Sequence, residues 1–189
     1  MEPLGRRIVV IGTTGSGKTT VASGLAGLLA SPHVELDSLF WGPNWTECPT
    51  EVFRDRVAEA TSGDAWVVDG NYGKARDIIW SRADTVIWLD YTLPVIFYRL
   101  TRRNAYRIGR GVELWNGNRE TLRNSLSRDS LYVWALRTYR RRRLEVPEHF
   151  RNPEYAHLHV LHFRAPRQAR RWLAEIGTEV RSRDAAVQS

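Results

Sequence analysis

Short apolar runs alternate along this chain with longer stretches in which apolar side chains recur every three or four positions. Residues 7–11 form a β-branched run that ends in a glycine-rich loop, which predicts a strand buried on both faces. Val21, Leu25 and Leu28 then mark a helix over 19–30, stopped by Ser31 and Pro32. A second short strand is expected at 34–36. A loop over 41–49 follows, and Thr50 is placed to cap a helix that carries Phe53, Val57 and Ala60 on one face. Trp66, Val67 and Val68 make a third strand that closes on Asp69 and Gly70, and residues 77–80 suit a short helical turn.

Residues 85–89 give a fourth strand, and Thr92 with Pro94 marks the start of a helix running through Phe97 and Leu100 until Gly109, Gly111 and Gly117 interrupt it. A second basic helix is expected over about 120–143, with Leu122, Leu126, Val133 and Leu136 on roughly one side, ending before Pro147. A fifth strand at 158–163 and a last helix over 166–176 complete the pattern, with about 178–189 as a frayed tail. Strands alternating with helices predict an α/β fold: one parallel sheet covered by helices on both faces. The whole chain, 1–189, reads as a single domain in which about 103–147 is a lid-like insertion.

Composition changes little in that picture, with 42% hydrophobic and 26% charged residues, as in ordinary globular domains. Cys48 is the lone cysteine, which excludes an internal disulfide and a cysteine-based metal site. The apolar run 8–11 is shorter than the ~7–15 residues of a signal-peptide core, and no stretch is long enough to span a bilayer. Together these lead to the expectation of a cytoplasmic protein with no membrane partner.

Charge is more informative by position than in total. The net charge is +7, yet between residues 99 and 143 thirteen arginines stand against Glu113, Glu120 and Asp129, a local balance of +10 that leaves the rest of the chain at −3. Guanidinium groups suit phosphate oxygens geometrically, so either a nucleotide or a nucleic acid could use this segment. Solvated helix faces also carry arginines of this kind.

The sharpest chemical signal is Gly12-Thr13-Thr14-Gly15-Ser16-Gly17-Lys18-Thr19, an ungapped G-x-x-x-x-G-K-[ST] between an expected strand and an expected helix. Its glycines let successive backbone N–H groups converge on phosphate oxygens, and the helix behind presents its positive end to the same anion. Lys18 can reach the β- and γ-phosphates, the Thr19 hydroxyl can join the shell of Mg²⁺, and Thr20 completes the nucleotide-binding set. A guanine-reading N-K-x-D run is absent, which favours ATP.

Asp69, at a strand end with Gly70 behind it, is the preferred metal acid; Asp90, after the fourth strand, competes for that role. Asp37 also follows a strand and is the candidate to position an acceptor hydroxyl or take its proton, with a helix-capping role as the alternative. Phe40, Trp41 and Trp45 beside it could stack on a flat substrate or cover a core edge. Arg103, Arg107 and Arg110 recur at helical spacing and are the candidate lid cations that stabilise a migrating phosphoryl group.

Taken together, these motifs resemble the adenylate-kinase-like branch of P-loop kinases, most closely small bacterial proteins described as DNA topology modulation proteins. The matching segments are the glycine loop, residues 35–41 with Trp45, Trp66 to Tyr72, Ala83 and Asp84 leading to Trp88-Leu89-Asp90, Arg102-Arg103, Glu113 to Trp115 with Asn118 to Glu120, and Phe163-Arg164 before Arg167. The resemblance implies a three-layer P-loop NTPase fold with a five-stranded parallel sheet in order 2-3-1-4-5, which sets Asp69 beside the glycine loop. It also implies that Arg164, Pro166 and Arg167 lie against the adenine, and that Asp37 and an arginine-rich helical lid face the acceptor. Adenylate kinases carry Asp-Gly-Phe-Pro-Arg where this chain has Asp69-Gly70-Asn71-Tyr72-Gly73, so the arginine that meets a nucleoside monophosphate there is absent. The expected function is ATP- and Mg²⁺-dependent phosphoryl transfer to a small acceptor. The alternatives are a nucleic-acid-binding ATPase and a nucleotide-binding regulator without efficient catalysis.

Overall fold

A computed structural model describes residues 4–118 and 131–187. Five parallel strands make one sheet: β1 (Arg7–Gly12), β2 (His33–Glu35), β3 (Trp66–Asp69), β4 (Thr85–Leu89) and β5 (His159–Phe163), in the order β2-β3-β1-β4-β5. The register sets Val10 opposite Asp69, Asp69 opposite Glu35, and Gly12 opposite Leu89. The C-terminal ends of β2, β3 and β1 therefore line up along one edge of the sheet, where its order reverses and an open α/β sheet forms its ligand crevice.

Alternation along the strands divides the core in two. Val9, Ile11, Val68, Val86 and Trp88 face one side with Phe53, Val57 and Trp80; Ile8, Val10, Val67, Ile87 and Leu89 face the other with Leu25, Ile96, Leu100 and Ile176. Burial on both faces is why the strands read as unbroken apolar runs. The helices that cover them are α1 (Lys18–Leu28), α2 (Leu36–Phe40), α3 (Thr50–Ala60), α4 (Arg76–Trp80), α5 (Leu93–Gly109), α6 (Leu131–Arg151) and α7 (Pro166–Val187).

Several expectations are corrected. Strand β2 stops at Glu35, because Leu36 turns into the core as the first residue of α2 and takes Asp37 onto a helix. Pro49, not Thr50, occupies the cap position of α3, with no side-chain capping bond. Gly109 is helical and ends α5. The basic helix runs past Pro147 to Arg151; Val146 and Phe150 pack against the core on either side of the proline, and that burial outweighs the missing N–H. Its expected first half, with Arg119, Glu120, Leu122 and Leu126, lies outside the described residues. The last helix continues to Val187 through the segment expected to fray, because Ile176 and Val180 belong to the core under α1.

Candidate functional site

The loop between β1 and α1 is shaped by what surrounds it. Gly12 has φ +152°, and a Cβ there would lie 2.6 Å from the Leu89 carbonyl oxygen and 2.7 Å from Ser16 Oγ. Asn71, just beyond β3, fixes the same residue, since its Oδ1 accepts from Gly12 N at 3.0 Å and its Nδ2 donates to Gly12 O. Ser16 N donates to Thr13 O at 3.0 Å, and Thr13 and Ser16 are buried while Thr14 borders the cavity described below. Ser16 Oγ is buried and, among the described residues, has no hydrogen-bond partner, a donor of the kind a bound phosphate oxygen satisfies. Gly17 is the left-handed N-cap of α1, so the chain enters the helix with Lys18, Thr19 and Thr20 in its first turn.

Asp69 sits at the end of β3 beside this turn, 5% exposed. Thr19 Oγ1 donates to its Oδ1 at 3.0 Å and His33 Nε2 meets its Oδ2 at 2.8 Å. That hydrogen bond raises the His33 pKa against the opposing effect of burial. Gly70 follows with φ +145°, and a Cβ there would strike Leu36 at 2.8 Å, so this glycine admits a core side chain where the sequence suggested room for a ligand. A hydroxyl and a carboxylate in contact at the mouth of the loop fit Mg²⁺, which takes few protein ligands and the rest from phosphate and water. Among the described residues no group of three or more His, Cys, Asp or Glu could hold a metal alone. Asp90 is engaged elsewhere: Arg143 Nε and Nη2 donate to its two oxygens at 2.7 and 3.1 Å, and His162 Nε2 lies 3.2 Å away.

From Lys18 a cavity of about 1170 Å³ opens between the sheet edge, α2, α4 and α6. Asp37 enters it from α2, and Tyr72 OH donates to Asp37 Oδ1 at 2.5 Å. Burial together with the Asp37 charge raises the Tyr72 pKa far above its ordinary value, so the phenol remains a donor. Phe40 lies in the buried core edge-on to Phe53 and Trp41, while Trp41 and Trp45 also border the cavity. The mouth is framed by two short turns, Pro43–Trp45 and Trp115–Gly117, joined through Asn118. Its Oδ1 accepts from Trp45 N and its Nδ2 donates to the Gly42 and Trp115 carbonyls, each at 2.9 Å.

The candidate lid cations part company. Arg103 and Arg107 line the cavity. Arg110, expected on the same face, is the exposed C-cap of α5 with its guanidinium on the Tyr106 ring, because the helix has already ended at Gly109. Arg142, which sequence spacing did not single out, enters from α6 and is largely buried, with Nη1 unpartnered among the described residues. Burial, reinforced by Arg141, lowers the Arg142 pKa to about 10. Burial, with Arg142 next, lowers that of Lys18 to about 8 against the pull of Asp37 and Asp69. Such crowding of cations suits a polyanion. Arg99, also outside the candidate set, lies with Nη2 2.8 Å from where a Gly17 Cβ would stand.

Arg164, Pro166 and Arg167 sit at the β5–α7 junction and do not border the cavity. There the Arg164 and Ala165 N–H groups donate to Gln168 Oε1 at 2.8 and 3.0 Å, and both arginine side chains are exposed.

No family model matches the sequence, and no curated protein matches it. Solved structures do. A shikimate kinase from Bacteroides thetaiotaomicron is 19% identical, with TM-score 0.53 over 97% of this chain and 99% of that one. One from Acinetobacter baumannii, in complex with shikimate, is 18% identical, with TM-score 0.54 over 95% and 94%. A sugar kinase from a Janibacter species is 22% identical, with TM-score 0.51 over 94% and 98%. The chain thus has the P-loop kinase fold, with the five-stranded sheet in the order 2-3-1-4-5.

Proposed function

We propose that this protein is a kinase that transfers the γ-phosphoryl group of ATP, with Mg²⁺, to a hydroxyl of a small molecule. The observation that carries the reading is that one cavity joins the glycine loop, through Lys18, to the hydrogen-bonded Asp37–Tyr72 pair. The fold shared with shikimate and sugar kinases supports it.

In this reading the loop N–H groups of residues 12–19 and the Ser16 hydroxyl hold the β- and γ-phosphates, and Lys18 neutralises them. Thr19 and Asp69 hold the magnesium shell, and His33 keeps Asp69 oriented. A Mg²⁺ held there would supply charge neutralisation to the phosphates. Tyr72 occupies Asp37 Oδ1, which leaves Oδ2 to receive the acceptor's hydroxyl proton. The new bond forms from the acceptor oxygen to the γ-phosphorus while the bond to the β–γ bridging oxygen breaks, releasing ADP. Arg142, with Arg103 and Arg107, offsets charge on the transferring group and excludes water. Arg164, Pro166 and Arg167, after β5, would lie against the adenine in this reading.

The test is ADP release by purified protein against a panel of small alcohols, sugars and hydroxy acids, alongside Lys18→Ala and Asp37→Asn. Acceptor-dependent release that both variants reduce by about 10²-fold or more is expected. Absence of release with every acceptor, with Lys18→Ala indistinguishable from the parent, overturns the proposal.

A further inference from the structure

One half-buried cation of the cavity has no ion-pair partner among the described residues. Arg76 opens α4, and its Nη1 donates to His149 Nε2 at 2.6 Å while its guanidinium lies over the Trp80 ring, 5.5 Å from the centroid. Among the described residues it makes no ion pair with a carboxylate. The next residue, Asp77, turns the other way and takes both oxygens to Arg54, at 2.7 and 2.8 Å. The first turn of α4 thus sends its acid to the surface and its base inward. Burial lowers the Arg76 pKa, and burial together with the Arg76 charge lowers that of His149, so the imidazole stays neutral and accepts the hydrogen bond. Glu145, on the same cavity wall, acts on Arg76 without pairing with it, and a half-buried guanidinium whose hydrogen bond goes to a neutral imidazole is poised to take an anion.

Position along α6 supplies the dimension. Arg142 acts on Lys18 at the phosphate end, and His149 holds Arg76; seven residues apart, they share a helix face and stand about 10 Å apart along its axis. Val146 borders the cavity between them, with Ile79 of α4. Across the whole cavity eight lysines and arginines face Asp37, Glu47 and Glu145.

We infer that the acceptor is a small hydroxyl compound carrying an acidic group, carboxylate or phosphate ester, and that Arg76, oriented by His149, binds that group at the end of the cavity remote from Lys18. The inference rests on the kinase reading above and narrows its substrate class.

The experiment keeps the two separable. The protein is loaded with Mg²⁺ and a non-hydrolysable ATP analogue, so that the glycine loop is filled, and titrated calorimetrically with gluconate against glucitol and with glucose 6-phosphate against glucose. The charged member of at least one pair should bind about 10-fold or more tighter, a difference of about 1.4 kcal/mol. Arg76→Gln should erase that preference and Arg76→Lys retain part of it, both keeping the parent's affinity for the nucleotide analogue. Which pair responds distinguishes a carboxylate from a phosphate ester.

In the unsubstituted protein the His149 imidazole, followed by NMR, should titrate at higher pH once the charged member is bound. Equal binding within both pairs, absent binding included, overturns the inference. So does a preference that survives Arg76→Gln, or a His149 titration that does not move. ADP release in parallel separates the readings: a neutral acceptor phosphorylated as fast as its charged partner keeps the kinase and discards this inference. Arg76-dependent anion binding without release does the reverse.

Discussion

Lys18 holds a charge that the nucleotide-free fold does not stabilise. Its pKa of about 8, set first by burial and then by Arg142, lies below the ordinary 10.5 of an unfolded chain. The charged form is therefore penalised in full below pH 8, and the penalty is relieved as pH rises from 8 towards 10.5. Lys18→Met should raise the melting temperature of nucleotide-free protein at pH 7, by about 2–4 °C for each kcal/mol relieved. The gap to the parent should close by pH 10.5, and stabilisation by ATP should be lost; thermal scans with and without nucleotide read all three. Asn71 contributes in the opposite sense, as it satisfies both backbone groups of Gly12. Asn71→Ala should cost about 1–3 kcal/mol in the urea midpoint, with nucleotide affinity falling alongside. At this scale the glycine loop was legible in the sequence, because its backbone admits only glycine at fixed intervals. Asn71, Arg76 and Arg142 were not, because their roles arise from tertiary neighbours: a loop 59 residues away for Asn71, His149 of α6 for Arg76, and Lys18 for Arg142.

Among the elements, α6 governs how the site is closed, and it is tied to the sheet by Asp90. That residue is a strand-end aspartate like Asp69, and the sequence preferred Asp69 for the metal with Asp90 competing; the structure gives Asp90 to Arg143 and His162. The tether holds the helix that delivers Arg142 to Lys18 and His149 to Arg76. Asp90→Ala should lower stability by about 1–3 kcal/mol, less than a fully buried pair would cost because the Arg143 side chain is 40% exposed. The same change should weaken acceptor binding more than nucleotide binding, a split that calorimetry with each ligand would show. Strand positions were readable to within one or two residues, since burial on both faces leaves an unambiguous apolar signature. The helix ends at Pro147 and Ile176 were misread for one reason. Local rules stop a helix at proline or at the last periodic residue, whereas Val146, Phe150 and Val180 extend these helices by packing on surfaces that no local window contains.

Over the whole molecule, the net charge of +7 and the arginine-rich stretch invite a nucleic-acid reading, as does the resemblance to proteins described by an action on DNA topology. The decisive question is where the guanidinium groups point. Between residues 99 and 143, Arg103, Arg107, Arg137, Arg141 and Arg142 line the cavity, Arg99 lies against the glycine loop, and Arg143 is bound to Asp90. The described arginines there that are exposed and neither border the cavity nor hold Asp90 are Arg102, Arg110 and Arg140, while Arg137 and Arg141 border the cavity and are exposed as well. With Arg119, Arg123 and Arg128 added, the cations of this segment that stand apart from the cavity number six, which by themselves give a slope of log K against log salt of about −5. Electrophoretic shifts with double-stranded DNA should therefore fade by about 0.2 M salt, and ATP should not strengthen them. A complex that ATP stabilises would mean that the arginines bordering the cavity turn outward to bind nucleic acid. The cavity would then be a resting arrangement of a DNA-binding ATPase, and the kinase reading would fall with it.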